Sequence, residues 1–101
     1  MENNNGQKKM GELSPVNIPI QMFSMGDTTG RITPIRFRFQ TAEDTIETIE
    51  VQKVISRDEK NYVGIREKQF ICSAKISDRE RIMEIRYNVG SQKWTIFQFL
   101  A

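Results

Sequence analysis

The sequence contains no histidine and a single cysteine, Cys72. A zinc site built from histidine and cysteine, a Ser-His-Asp triad and a Cys-His dyad are therefore excluded within this chain. One thiol has no intramolecular partner, so a disulfide framework is excluded as well. Cys72 lies between Phe70 and Ala74 on the predicted inner face of a strand, where apolar surroundings make a thiol unreactive.

Familiar catalytic and cofactor motifs are also missing. The sequence has no glycine-rich phosphate loop, no Walker pattern and no dinucleotide fingerprint. The acidic pairs Glu43-Asp44 and Asp58-Glu59 fall in predicted turns, whereas paired catalytic carboxylates face each other across a cleft. We therefore expect no catalytic residues, no cofactor and no metal, and we expect that the protein is not an enzyme.

Long hydrophobic runs are absent: no run approaches the ~18 residues of a membrane span, so we expect no membrane partner. The polar N-terminus lacks the apolar segment of a signal peptide. The lone cysteine and the mixed charges favour a cytoplasmic protein of a bacterium or phage. The net charge of +2, from 15 Lys and Arg against 13 Asp and Glu, is too small to indicate a partner.

The 101 residues support one domain with a tail of different composition. Residues 1–17 are polar, contain Gly6, Gly11 and Pro15, and bury too little apolar surface to offset the entropy of ordering them. We predict a disordered polar tail over 1–17 and a single β domain over 18–101. An arm that folds on a partner is the functional alternative for the tail.

Period-two alternation of apolar and polar residues predicts strands through most of the domain. In Pro34–Phe39, for example, Phe37 and Phe39 face inward and the intervening arginines face outward. Pro19 removes a backbone donor, which makes the first strand an edge strand or an extended arm. The predicted strands are Ile18–Met25, Pro34–Phe39, Thr41–Ser56, Arg66–Ile76, Met83–Val89 and Lys93–Leu100.

Two segments also carry helical signals. Thr41 to Ser56 begins with residues that could cap a helix, but its many β-branched residues favour a strand with a bulge near Gln52-Lys53. Ser77 to Arg86 opens like a capping box, and its later alternation favours a strand. The intervening Arg57–Asn61 is predicted as a charged turn.

The connections between the predicted strands are short. They require antiparallel neighbours, because a parallel crossover needs about a dozen residues. A twisted meander with one apolar face must close on itself or be covered, and no helix is available as cover. We predict an all-β fold, a small antiparallel meander that closes into a five- or six-stranded barrel or roll, with a sandwich as second choice.

The last strand is apolar on both sides. Alternation places Trp94 and Ile96 on one face and leaves Phe97 and Phe99 on the other. Leaving either phenylalanine exposed would forgo ~1.5–3 kcal/mol of burial energy. Either the strand is central, or Ile18–Phe23 covers its second face, or the two rings form a homo-oligomer contact or a groove for an apolar partner segment.

Arginine and aromatic residues alternate in the second strand, as on some platforms for single-stranded nucleic acid. Phe37 and Phe39 point away from Arg36 and Arg38, however, and stacking needs rings and guanidinium groups on one face. We therefore expect these arginines to pair across strands with the acidic run Glu43–Glu50.

A second basic and aromatic set surrounds the Gly90-Ser91 turn. Arg86 and Tyr87 precede the turn, and Lys93 and Trp94 follow it. Across a hairpin these residues could form a small electropositive aromatic patch. The alternative is that Tyr87 and Trp94 are core residues.

These patterns favour a non-enzymatic protein-interaction module that acts through a sheet face or a strand edge, including self-association through the C-terminal strand. The alternatives are a small nucleic-acid-binding barrel, similar in scale to SH3-like or OB-type domains, and a ligand-binding accessory domain of an enzyme. The candidate interaction residues are Phe97, Phe99, Arg86, Tyr87, Lys93, Trp94, Arg36 and Arg38.

Four short segments between Pro34 and Phe99 carry a family resemblance. They are Ile35-Arg36-Phe37-Arg38, Ile71-Cys72, Glu84-Ile85-Arg86-Tyr87 and Lys93-Trp94. In these segments the chain resembles short uncharacterised β-rich cytoplasmic proteins of Firmicutes. The resemblance implies a compact β domain in a bacterial cytoplasm, and it brings no function and no catalytic residues.

Overall fold

A computed structural model describes residues 15–40 and 43–101, which contain six β-strands and no helix. The predicted all-β class is confirmed, and neither helical alternative is formed in the described residues. The predicted tail covers 1–17, of which 1–14 lie outside the described residues, so that division stays a prediction. The strands are β1 (Ile18–Gly26), β2 (Ile32–Gln40), β3 (Ile46–Tyr62), β4 (Ile65–Ile76), β5 (Arg79–Asn88) and β6 (Lys93–Phe99).

Every strand pairs antiparallel with its neighbour in sequence, and β1 also pairs with β6. The predicted meander therefore closes into a six-stranded barrel. Closure is made by Ile18, Pro19 and Ile20, which lie opposite Ile96, Thr95 and Trp94. The described residues include no helix that could cross a membrane.

The strand β3 continues through the charged segment of the sequence. The turn predicted over Arg57–Asn61 is wrong, because these residues pair with β4 and the chain reverses at Val63-Gly64. Both turn residues have positive φ, 46° and 86°. Cross-strand ion pairs replace apolar contacts here, as where Arg66 Nη2 lies 2.9 Å from Glu59 Oε2.

The core lies between the inward faces of the six strands. Phe37 is fully buried, and Phe39 packs against the core with its ring centre 6.0 Å from that of Phe37, so both face inward as predicted. The fully enclosed cluster consists of Phe37, Ile49, Phe70, Cys72, Ala74, Met83, Ile85 and Ile96.

A bulge in β6 separates the two C-terminal phenylalanines. Ile85 lies opposite Ile96 and Glu84 lies opposite Gln98, so Phe97 is an extra residue without a partner in β5. The extra residue restores Phe99 to the inner side, where it packs against the core. The strict alternation used in the sequence argument placed both rings on the outer face, and for Phe99 that placement is wrong.

The closed barrel has two gaps in its hydrogen-bonded ladders, because part of β1 and part of β3 pair with only one neighbouring strand. Gln21–Gly26 of β1 pairs only with β2, and Val51–Tyr62 of β3 pairs only with β4. We name the gap between Gln21–Gly26 and β6 the β1/β6 seam, and the gap between Ile32–Ile35 and β3 the β2/β3 seam. A register shift between Val51 and Lys53 lets β3 change partners, which confirms the predicted bulge near Gln52-Lys53.

Candidate interaction site

The β1/β6 seam is bordered by a groove of about 750 Å³. Ile20 of β1 pairs with Trp94 of β6, and beyond Ile20 the backbone of β1 has no partner strand on that side within the described residues. Ile20, Met22 and Trp94 line the groove with apolar surface, and Lys93 lies at its border. An unpaired strand edge beside an apolar groove can accept an additional strand.

Trp94, which lines this groove, packs against two further aromatic rings. Trp94 lies opposite Tyr87 in the β5–β6 ladder, with ring centres 4.7 Å apart, and it stacks on Phe70 at 5.7 Å. Tyr87 and Trp94 are both half-buried and pack against the core, so the structure brings together this half of the predicted patch. Lys93 is exposed and has no ion-pair partner among the described residues.

Arg86 lies on the outer face of the barrel, apart from Tyr87 and Trp94. Its guanidinium carbon is 3.4 Å from the centre of the Phe97 ring. Its Nε donates to Glu84 Oε2 at 2.7 Å, and its Nη1 lies 3.5 Å from Glu67 Oε1. Arg86 therefore covers Phe97 and neutralises acidic neighbours, which removes it from the predicted electropositive patch.

Both C-terminal phenylalanines are covered within one chain. Phe97 lies under Arg86, and the guanidinium carbon of Arg81 is 4.4 Å from the centre of the Phe99 ring. The Phe97 carbonyl also accepts a hydrogen bond from the Val16 backbone N–H at 2.7 Å. Phe97 and Phe99 are both half-buried, so neither ring forms a free apolar face.

Arg36 shares its face with an aromatic ring that the sequence argument did not consider. The guanidinium carbon of Arg36 lies 4.8 Å from the centre of the Phe23 ring, and Phe23 lies opposite Arg36 on β1. Arg36 is also opposite Glu50, and Arg38 is opposite Thr48, on β3. The expected cross-strand partner is therefore present for Arg36, although no ion pair joins it to Glu50 in the described residues.

A second cleft, of about 520 Å³, lies at the β2/β3 seam, and sequence reasoning missed it. Half-buried Arg57 reaches across the seam: its Nη1 donates to the Ile32 carbonyl at 2.9 Å, and its Nη2 donates to Thr33 Oγ1 at 3.3 Å. The guanidinium carbon lies 5.3 Å from the centre of the Phe70 ring. The sequence analysis placed Arg57 in a charged turn. It therefore did not recognise that Arg57 lies on a strand with its side chain directed into the barrel.

Burial and hydrogen bonding alter the acidity of Cys72 and Glu59. Burial raises the pKa of the Cys72 thiol to about 12, a rise that the nearby positive charge of Arg57 partly offsets. The hydrogen bond from Arg66 is the main cause that lowers the pKa of the Glu59 carboxyl. Among residues 15–40 and 43–101 no group of three or more histidine, cysteine or acidic residues could hold a metal ion.

These features define a six-stranded antiparallel β-barrel with a cleft at each seam. Comparison of the chain with known protein families, with curated proteins and with solved structures finds no match. The geometry of the two seams is therefore the basis on which a function can be assigned.

Proposed function

We propose that this chain is a non-enzymatic protein-interaction module that binds an extended segment of a partner protein along the free edge of β1. The observation that carries the proposal is the departure of β1 from β6 after Ile20. Between Gln21 and Met25 the outward N–H and C=O groups of β1 have no partner strand among the described residues. A partner strand would satisfy these groups by continuing the ladder.

The groove at the β1/β6 seam determines which segment fits. Ile20, Met22 and Trp94 offer apolar contact to every second side chain of an added strand, because successive side chains alternate between faces. Exposed Lys93 offers an unpaired positive charge to an acidic residue of that segment. We therefore expect an extended segment with an apolar residue directed into the groove and a carboxylate near Lys93.

Self-association through the C-terminal strand has weaker support. The backbone of β6 pairs with β5 on one side and with Ile18–Ile20 on the other, and the rings of Phe97 and Phe99 are covered by arginines. The proposed occupant of the β1 edge is accordingly a segment of another protein. We assign the module to a bacterial cytoplasm, as the single cysteine and the resemblance to Firmicutes proteins imply.

The test uses a library of random dodecapeptides displayed on phage and selected against the full chain. Trp94 is the only tryptophan, so its fluorescence reports on the groove directly. We expect enriched peptides to protect Trp94 from acrylamide quenching. We also expect Lys93→Glu to weaken the acidic peptides about tenfold, whereas Lys75→Glu, at the opposite end of the barrel, leaves them unchanged.

Three outcomes would overturn this proposal. The first is the absence of enriched peptides, and the second is binding that leaves Trp94 and the β1 amides unchanged. The third is a dimer whose formation protects Trp94 without peptide, measured by light scattering across a concentration series. That third result would make a second copy of the chain the occupant of the seam.

The nucleic-acid alternative has one observation in its favour. Phe23 is 44% exposed and shares the outer face with Arg36 and Arg38, so a ring and two cations meet where a base and a phosphate could bind. Affinity for oligothymidylate should then fall steeply as salt is raised, and Phe23→Ala should weaken it. Weak binding with a flat salt dependence would remove this alternative.

A further inference from the structure

The cleft at the β2/β3 seam is lined by more cationic than anionic side chains. Arg31, Arg57 and Lys68 line it, together with the acidic Asp58 and Glu59. The acidic groups already have partners: Lys60 Nζ lies 3.2 Å from Asp58 Oδ2, and Glu59 Oε2 lies 2.9 Å from Arg66 Nη2 and 3.5 Å from Lys68 Nζ. The three cations and two carboxylates that line the cleft therefore leave one excess positive charge.

Arg57 has no carboxylate partner among the described residues. Its two hydrogen bonds go to uncharged oxygens of Ile32 and Thr33, which leaves three of the five guanidinium N–H donors without an acceptor in the described residues. A half-buried cation is costly to maintain without a counter-charge. An anion in the cleft would supply that charge.

We infer that this cleft binds a phosphate monoester group. A phosphate monoester carries a charge of about −1.5 to −2 near neutral pH, which suits Arg57 together with Arg31 and Lys68 better than a single carboxylate does. The planar guanidinium donates to phosphate oxygens as a fork. One excess positive charge suits a single phosphate group better than the successive phosphates of a nucleic-acid strand, so the ligand has an isolated phosphate.

The cleft exceeds the size of a phosphate group, and the rest of the ligand extends toward the opening. Phe70 is 1% exposed and offers no ring for stacking. The recognised chemistry is therefore the phosphate itself, carried either by a free nucleotide or by a phosphorylated side chain. This inference is independent of the strand-binding proposal, because the two clefts lie at different seams.

The test is an NMR titration of the full chain with inorganic phosphate, with sodium chloride of equal ionic strength as reference. We expect saturable shifts of the Ile32 and Thr33 amides and of the Arg57 side-chain signals. Parallel titrations with AMP and with phosphoserine distinguish the sources, since the true class of ligand should bind more tightly than inorganic phosphate.

Two variants remove cations without disturbing the hydrogen bonds of Arg57. We expect Arg31→Gln and Lys68→Gln each to weaken phosphate binding about tenfold. The matched control is Lys75→Gln, which removes the same charge near the β4–β5 turn and should leave binding unchanged. Shifts that do not saturate, shifts equal to those in chloride, or equal weakening by Lys75→Gln would overturn the inference.

Discussion

The guanidinium carbon of Arg86 in β5 lies 3.4 Å from the centre of the Phe97 ring in β6. Glu84 and Glu67 hold the same guanidinium from β5 and β4. Phe97 faces outward at the bulge in β6, and Arg86 covers its ring. The outer face at Phe97, which the sequence suggested as a contact surface, is therefore packed within one chain.

The first prediction concerns this packed face. Phe97→Ser should reduce the free energy of unfolding by about 1–3 kcal/mol, because the half-buried ring and its contact with Arg86 are lost together. Urea denaturation measures the loss. The comparison variant is Phe23→Ser, which removes a more exposed ring and should cost less than about 1 kcal/mol. A Phe97→Ser protein of normal stability that changes from oligomer to monomer would instead favour self-association through β6.

The second prediction concerns the bridge across the β2/β3 seam. Arg57→Met keeps the aliphatic stem but leaves the Ile32 carbonyl without its donor, so we expect a loss of about 1–3 kcal/mol in unfolding free energy. Arg36→Met removes a guanidinium from the exposed outer face and should change stability by less than about 0.5 kcal/mol. Equal losses of unfolding free energy in the two variants would show that the Arg57 bridge stabilises the fold no more than an exposed arginine does.

The third prediction follows from the pKa of Cys72, which burial raises from the ordinary value of 9.0 to about 12. Above pH 9 an unfolded chain releases the thiol proton while the folded chain keeps it, so stability is full below pH 9 and declines as the pH rises toward 12. Urea unfolding at neutral pH and at about pH 10.5 should show a larger decline for the wild type than for Cys72→Ala. Identical declines would contradict the burial of the thiol.

The fourth prediction concerns the turn between β1 and β2. Asp27 Oδ1 accepts hydrogen bonds from the Thr29 hydroxyl at 2.7 Å and from the Thr29 and Arg31 backbone N–H groups, each at 2.9 Å. These bonds lower the pKa of Asp27 from its ordinary 3.8, and the hydrogen bond from the Thr29 side chain has the largest effect. The ionised carboxylate therefore stabilises the turn above pH 3.8, and the effect is lost as the pH falls through the lowered pKa.

The measurement compares the wild type with Asp27→Asn, which keeps an acceptor but does not titrate. Acid unfolding curves should show that the stability difference between the two proteins shrinks as Asp27 becomes protonated. An Asp27 signal that titrates at or above the ordinary value in an NMR experiment would contradict the prediction.

Much of the barrel was predictable because local patterns determine it. Alternation in Pro34–Phe39 placed Phe37 and Phe39 in the core, and the break after Val51 indicated the bulge of β3. The short connections then required an antiparallel meander. Because no helix was available to cover its apolar face, the meander had to close on itself. These inferences depend on neighbours in sequence, which is why they succeeded.

The predictions that failed concern contacts that are set by the pairing register between strands. A single extra residue at Phe97 reverses the face of Phe99, and alternation alone gives no sign of it. Phe23 joins Arg36 only because β1 and β2 pair in one particular register. Arg57 reaches Ile32 only because β3 continues beyond its pairing with β2. The candidate clefts lie where strands exchange partners, and such exchanges have no local sequence pattern.

The most direct test of the proposed strand-binding edge is amide hydrogen exchange along β1 in the free protein, resolved residue by residue. The open β1/β6 seam predicts that between Gln21 and Met25 every second amide, the one directed away from β2, exchanges as fast as the β1–β2 turn. The amides of Trp94 and Ile96 should exchange slowly, because β6 pairs there on both sides. Uniformly slow exchange from Ile18 to Met25 would mean that the seam is closed and would contradict the proposed strand-binding edge.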